Sequence, residues 1–276
     1  MWNENELDVA QVMPSMRKYL RTALSLKTMP VDGTKLTRGQ SRIGGEPDLP
    51  QGFQWPENES GPLSFIAQID LTEVAKIPRV LPLPPVGSLL FFYDATQKAW
   101  GDDPKDLNSF KVIHVETPAH ELIRTPFPEN LDRYGRFKAA SICMRRILTL
   151  PPSDWGRFDP PLSKAESDWT MAFNDVHPHY PYHWLGGHAC FVQNAMEKEC
   201  QLVSNGVDCG NVKPQNSECV NALISGAEDW RLLLQITTDD DLEMMWGDCG
   251  IIFFWIREQD LIDRRFEKCW VILQCC

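Results

Sequence analysis

The sequence predicts an α+β fold, internally duplicated, in which two pseudo-symmetric and mainly antiparallel sheets share one core, with an N-terminal helix. The main observation is a set of apolar runs that occurs twice in the same order, after Gly44-Gly45 and again after Gly186-Gly187. The predicted strands are 63–69, 88–93 and 110–116 in the first half, and 231–237, 250–256 and 269–274 in the second. Self-similarity over a long period is typical of a duplicated structural unit.

The N-terminal segment 1–36 is predicted to be helical. Apolar residues recur there at steps of three and four, which is the spacing of one buried helical face: Leu7, Ala10, Met13, Met16, Leu20 and Leu24. The pattern predicts a helix over 5–28, with its ordered part beginning near Pro14 and its end at Pro30. A shorter helix is expected after Asp70 and another near 162–173.

The remaining chain is predicted to be one domain over 37–276, made of pseudo-repeats at about 37–120 and 180–276. Between them lies a proline-rich middle segment, with a possible strand at 147–150, which is the best place for a join. The second repeat carries an extra segment, 195–225, that holds Cys200, Cys209 and Cys219. We expect this insertion to form surface loops.

The charge of the chain limits its partners. The formal net charge is −11, which disfavours sequence-independent binding to nucleic acid and favours a basic protein partner. The longest apolar stretch, 249–256, is far shorter than a membrane helix, so no membrane association is expected. The acidic start of the chain and its odd number of cysteines, nine, favour a cytoplasmic location with reduced thiols.

Two glutamines interrupt apolar runs at matching points of the two halves. A buried amide is costly unless it is hydrogen-bonded, so Gln68 and Gln235 should have dedicated partners. Pairing across the interface between the halves is the first interpretation. Contact with a ligand is the alternative.

A second repeated motif combines tryptophan with aspartate, at Trp100-Gly101-Asp102 and at Trp246-Gly247-Asp248. Together with Asp239, Asp240 and Asp241, these residues predict an acidic and aromatic binding surface. The carboxylates could also act as acid–base catalysts, or they could be solvated residues of turns.

The segment 177–190 contains four histidines and Cys190, residue types that could ligate zinc. The spacing matches no zinc module, and Pro178 and Pro181 favour an extended chain, so we expect no metal and no cofactor. His183 is a candidate for a binding site or for a structural hydrogen bond. Cys190 is either a nucleophile near His183 and His188 or, more simply, a small buried residue.

The segment 41–56, which reads SRIGGEPDLPQGFQWP, resembles the YwqG-like family, a bacterial family of unknown function. The likeness continues through 62–71, 87–94, 183–187, 232–236, 245–248 and 253–256. The resemblance implies a compact, internally duplicated α+β fold with no established reaction and no catalytic residues to carry over. Relatives described near toxin genes imply roles in immunity or in protein binding.

The sequence therefore leads to two main hypotheses. The first is a non-enzymatic cytoplasmic protein-binding module, with an immunity protein that neutralises a bacterial toxin as its specific form. The alternative is a hydrolase or small-ligand-binding enzyme with a site between the two halves, near Gln68, Gln235, His183 and Asp248. A housekeeping scaffold is a third reading.

Overall fold

The computed structural model describes residues 12–78, 80–176, 182–210 and 218–276. The strands within these ranges are β1 (Arg21–Pro30), β2 (Arg42–Ile43), β3 (Asp48–Leu49), β4 (Glu57–Asn58), β5 (Gly61–Pro62), β6 (Ser64–Asp70), β7 (Ser88–Tyr93), β8 (Phe110–Val115), β9 (Ile123–Arg124), β10 (Ala140–Thr149), β11 (Trp184–Gly186), β12 (Trp230–Thr237), β13 (Ile251–Arg257) and β14 (Trp270–Gln274). The α-helices are α1 (Leu71–Val74), α2 (Lys164–Val176), α3 (Glu197–Val203), α4 (Glu218–Ile224) and α5 (Glu258–Ile262).

In the described part of the chain, one antiparallel sheet of ten strands dominates the fold, in the order β14-β13-β12-β11-β1-β10-β2-β6-β7-β8. The predicted fold class is therefore wrong: the protein is mainly β, and the two strand sets do not form separate sheets of a duplicated α+β fold. The reason is the central pair β1 and β10, which is in register from Arg21↔Thr149 to Pro30↔Ala140. Through β11 on one side and β2 on the other, this pair joins both strand sets into one sheet.

The predicted N-terminal helix is also wrong within the described residues. Pro14–Tyr19 forms a single short 3₁₀ segment, and β1 follows it. Leu24 and Leu26 alternate with Ser25 and Lys27, a period of two that fits a strand, and β10 and β11 pair with the backbone of β1 on both sides. The first part of the predicted helix, up to residue 11, lies outside the described residues.

Local predictions agree better with the structure than the global one. The six predicted strands correspond to β6, β7, β8, β12, β13 and β14, with ends that differ by at most one residue. The predicted helices after Asp70 and near 162–173 correspond to α1 and α2. The insertion differs from the expected surface loops, because α3 packs into the core with Cys200 fully buried.

The sheet coils until its two ends pack face to face. Phe91 of β7 and Phe254 of β13 have ring centroids 5.1 Å apart, and Phe110 of β8 and Trp270 of β14 are 5.4 Å apart. These edge-to-face contacts are the favoured geometry for buried rings. One core thus forms between the two ends of a single sheet, and the edge strands β8 and β14 lie close to one another.

A buried ionic network fixes the turn that follows β2. The carboxylate of Asp48, which is fully buried, forms ion pairs with Arg42 and with Arg124, the latter with Nε 2.7 Å from Oδ1. Gly39 N–H donates to the same carboxylate at 2.8 Å. Both arginines also donate to backbone carbonyls, Arg42 to Thr37 and Arg124 to Gly33 among them. The network joins the 33–40 segment, the turn after β2, and β9.

Desolvation makes this network costly to break. Burial lowers the pKa of Arg42 to about 10, and the charge of Arg124 acts in the same direction, while Asp48 opposes it. Removal of one partner from a buried ion pair leaves an uncompensated charge in the interior.

We expect Asp48→Ala to lower the free energy of unfolding by about 3–5 kcal/mol, because the buried guanidinium of Arg42 and the partly buried one of Arg124 lose their counterion. Urea unfolding followed by tryptophan fluorescence measures the change. Asp240→Ala is the control, since Asp240 is exposed and its loss should change stability by no more than about 0.5 kcal/mol. Equal effects of the two substitutions would contradict the structural role of Asp48.

Candidate functional site

Gln68 and Gln235 are fully buried, and each is satisfied locally. Gln68 Oε1 accepts from Asp48 N–H at 2.9 Å, and its Nε2 donates to Gln40 O at 3.2 Å. Gln235 Oε1 accepts from Cys190 N–H, and its Nε2 donates to Tyr182 O, both at 3.0 Å. The two amides do not pair with each other, because β11, β1, β10 and β2 lie between their strands. Each one instead holds a loop onto its own strand.

His183 and Asp239 form a buried pair. Thr237 N–H lies 3.2 Å from His183 Nδ1, and because a backbone N–H can only donate, this nitrogen is the acceptor. The ring proton is therefore on Nε2, which donates to Asp239 Oδ2 at 3.1 Å. The Thr28 hydroxyl donates to the same oxygen at 3.2 Å. Both imidazole nitrogens are committed, so His183 has no free position with which to accept a substrate proton.

The pKa shifts of the pair agree with this geometry. Burial lowers the pKa of His183, and the hydrogen bond and charge of Asp239 oppose the shift without reversing it. For Asp239, burial alone would raise the pKa, but the hydrogen bonds from His183, Thr28 and the backbone of Leu242 act against burial, and the pKa is lowered. The contacts therefore require that the imidazole of His183 is neutral and that the carboxylate of Asp239 is ionised.

His188 and Cys190 are likewise held in place. His188 Nε2 lies 2.7 Å from Tyr19 O, so it carries a proton and donates. Burial lowers the pKa of His188 to about 3, and the charge of Arg21 adds to the shift. Burial raises the pKa of the Cys190 thiol, which disfavours the reactive thiolate. His177 and His179 lie outside the described residues, and among the described ones no group of three or more His, Cys, Asp or Glu side chains could hold a metal ion.

The two Trp-Gly-Asp segments meet on the outer side of β14. Gln97, three residues before Trp100, contacts the second segment: its Nε2 donates to Met245 O at 2.7 Å, and its Oε1 accepts from Gly247 N–H at 3.1 Å. Leu273 N–H donates to Trp100 O at 3.0 Å. We call the area formed by Trp100, Asp102, Met245 and Asp248, with the adjoining turn 239–243, the Trp100–Met245 surface.

Exposure within this surface differs from the sequence prediction. Trp246 is fully buried between the rings of Tyr93 and Phe137, at centroid distances of 6.0 and 5.3 Å. Its indole N–H has no hydrogen-bond partner in the described part of the chain. The apolar side chains that reach solvent are Trp100, 39% exposed, and Met245, 43% exposed. Met245 carried no sequence signal, because only the fold decides which neighbour of Trp246 points outward.

Several carboxylates lie close to these two residues in the sequence. Asp240, Asp241, Glu243 and Asp248 are exposed, whereas Asp239 is buried and shapes the turn by accepting from Asp241 N–H at 3.1 Å. On the Trp100 side, the carboxylates crowd one another. Partial burial raises the pKa of Asp102, and the charges of Asp208 and Asp103 add to the shift.

The same repulsion extends inward from Asp102. Burial raises the pKa of Glu199, in α3, to about 7, and the charge of Asp102 contributes. Burial, with the charges of Asp102 and Asp103, also raises the pKa of Asp106. A cation placed near these carboxylates would relieve their mutual repulsion.

Sequence reasoning missed a groove of about 990 Å³ beside the edge strand β8. One wall is formed by 110–114 of β8, and the opposite wall by Arg264 and 266–270, with Val203, Ser204 and Gly206 at the end of α3. Polar groups in the wall include Lys111, His114 and Lys268, and His114 Nε2 lies 3.1 Å from Val86 O. None of the residues proposed from the sequence lines this groove. Only the coiling of the sheet brings its walls together.

A family model with the description "Domain of unknown function (DUF1963)" matches residues 41–275. No curated protein matches the chain. Within the described ranges, none of the helices combines the length and the apolar character that crossing a bilayer requires.

The buried His188 predicts a loss of stability in acid. Its pKa is about 3 in the folded protein and about 6.5 when unfolded, so below pH 6.5 the unfolded chain binds a proton that the folded chain does not. Stability should therefore fall as the pH drops from 6.5 towards 3. Between pH 7 and pH 5 this group should account for about 2 kcal/mol.

His188→Gln should remove this part of the pH dependence, as measured by urea unfolding at pH 7 and pH 5. His120→Gln is the control, because the His120 side chain is exposed. A wild-type slope that persists in His188→Gln would show that His188 is not the source.

Proposed function

Because the chain belongs to DUF1963, a family of domains of unknown function, we propose its function from its own surface: a non-enzymatic protein-binding module for a basic partner. The observation that carries the proposal is the Trp100–Met245 surface, which combines two exposed apolar side chains with exposed carboxylates. The finer proposal is a cytoplasmic immunity protein of the YwqG-like type that occludes a bacterial toxin.

The composition of this surface fits a protein partner. Large apolar side chains that become fully desolvated supply most of the affinity at interfaces, and Trp100 and Met245 can do so. Charges at the rim mainly raise the association rate with an oppositely charged partner. Asp240, Asp241 and Asp248 are placed for that role, and the repulsion around Asp102 favours a cationic side chain there.

The polar residues that the sequence suggested as site residues use their hydrogen-bonding groups for structural contacts, which supports a non-enzymatic role. His183 uses both ring nitrogens for structural contacts, and both buried glutamine amides hold loops. The pKa of Cys190 is raised by burial, and burial together with the charge of Glu199 raises that of Cys209 to about 11. Thiols with raised pKa values are poor nucleophiles at neutral pH.

The double substitution Trp100→Ala/Met245→Ala should abolish capture of a basic protein from an extract of the source organism at low salt, because the apolar anchors are lost. Mass spectrometry of the captured proteins, followed by kinetics with the purified partner, provides the measurement.

Asp240→Asn/Asp241→Asn should slow association with the partner, with little effect on thermal stability, and added salt should slow association of the wild type similarly.

Met171→Ala is the matched control, since Met171 is 54% exposed on α2 and lies outside the Trp100–Met245 surface. Capture that is unchanged in the Trp100→Ala/Met245→Ala variant would remove this surface from the interface. A partner with an acidic surface, or clear turnover of a small substrate, would reject the proposal.

The groove of about 990 Å³ beside β8 favours a second candidate function, the binding of a small ligand. Ser204→Trp should block its rim, whereas Asn205→Trp, next to it and outside the groove, is the control. A compound that raises the melting temperature of the wild type and of Asn205→Trp, but not of Ser204→Trp, would support this function. An equal shift in all three proteins would contradict it.

A further inference from the structure

A second groove, of about 440 Å³, is cationic although the chain as a whole is acidic. Four arginines line it, against the single carboxylate of Glu258: Arg17, Arg21, Arg146 and Arg231. It lies at the start of β1, with β10 beside it, and α5 and the 80–82 segment form its other walls. It is separate from the Trp100–Met245 surface and from the groove beside β8.

Arg21 is one of the two arginines of this groove that are partly buried, the other being Arg231. In the part of the chain that the structure describes, the Arg21 guanidinium makes neither a hydrogen bond nor an ion pair. The carboxylates near it are committed to other groups. Glu258 Oε2 lies 2.5 Å from an Arg231 nitrogen, and Glu197 Oε1 lies 3.2 Å from an Arg157 nitrogen.

The surroundings of Arg21 oppose its charge. Burial lowers the pKa of Arg21 to about 10, and the charges of Arg231 and Arg157 act in the same direction, while Glu197 and Glu258 act against it. A desolvated cation next to like charges is unfavourable unless an anion completes its environment. An anion bound in the groove would therefore complete the environment of Arg21.

The remaining lining defines the kind of anion. The groove has aliphatic walls, contributed by Leu20, Val80, Leu81, Leu148 and Leu261. Its volume is within the range of sites for small organic ligands, which combine apolar walls with a few placed polar groups. An inorganic ion would leave these walls in water, whereas an anion with an apolar tail would cover them.

We propose that this groove binds a small organic oxyanion, a carboxylate or a phosphate monoester with an apolar tail, and that the guanidinium of Arg21 pairs directly with the anionic group. The planar guanidinium matches both oxyanions through bidentate hydrogen bonds. Arg146 and Arg17 are exposed at the rim and attract the anion through their charge.

Isothermal titration at low salt with hexyl phosphate, hexanoate and 1-hexanol tests the proposal. At least one of the two anions should bind with a dissociation constant in the millimolar range or tighter, and hexanol should bind at least about tenfold more weakly. Whichever anion binds more tightly identifies the oxyanion. No binding by either anion, or equal binding of hexanol, would overturn the proposal.

Arg21→Gln should weaken binding of the anion about tenfold or more, since a charged hydrogen bond is lost. Arg146→Gln should weaken it about threefold through the lost charge. Arg145→Gln is the matched control, because neighbouring residues of a strand point to opposite faces and Arg145 does not line the groove. Unchanged binding in Arg21→Gln, or an equal loss in Arg145→Gln, would overturn the proposal.

Stability without a probe separates a binding role from a structural one. If the role of Arg21 is to bind an anion, its buried charge does not stabilise the fold without that anion. The Arg21→Gln variant should then melt at the same temperature as the wild type or higher. A lower melting temperature would assign Arg21 a structural role and overturn the proposal. Should that variant fail to fold, the comparison of Arg146→Gln with Arg145→Gln decides, and equal affinities of these two would overturn it.

Discussion

The ion pairs of Asp48 with Arg42 and Arg124 are the constraint on which the first half of the sheet depends. The charges of Asp48 and Arg42 are fully buried, so the attraction between them has to offset a large loss of hydration. The geometry can do so because Gly39 N–H and the amide of Gln68 also contact the carboxylate. Gln68 in turn accepts from Asp48 N–H, so the turn after β2 is fixed to β6 by both backbone and side chain. The glutamine that interrupts an apolar strand therefore belongs to this network, and its polarity has a structural explanation.

Coiling of the sheet determines where a ligand or partner could bind. Contacts such as Phe91 with Phe254 close the core between the ends of the sheet and bring the edge strands β8 and β14 near one another. The groove beside β8 and the Trp100–Met245 surface beside β14 both result from that approach. Neither could exist on a flat sheet, because their walls come from segments far apart in sequence. The hydrogen bonds of Gln97 to Met245 and Gly247 show the same effect on a small scale.

The charges of the protein are separated by location. Carboxylates dominate the Trp100–Met245 surface, where the charges of neighbouring aspartates raise the pKa values of Asp102 and Asp106 beyond the effect of burial. Arginines dominate the groove at Arg21, although the formal net charge is −11. A cationic partner and an anionic ligand could therefore bind the same molecule at different places. The average charge predicts only the first of these, because it contains no information on clustering.

The sequence by itself determined many of the local elements, among them six strands of the large sheet. Apolar runs such as 88–93 coincide with strands, since a strand buried on both faces needs a continuous apolar stretch. It also indicated that Gln68, Gln235 and His183 need dedicated partners, because burial of a polar group requires them. Only the tertiary structure decided that β1 is a strand at the centre of one sheet, that Met245 and not Trp246 reaches solvent, and that the Arg21 guanidinium lies in a groove without a partner among the described residues. Pairing and exposure depend on neighbours that are distant in the chain, and local periodicity does not encode which segments will meet.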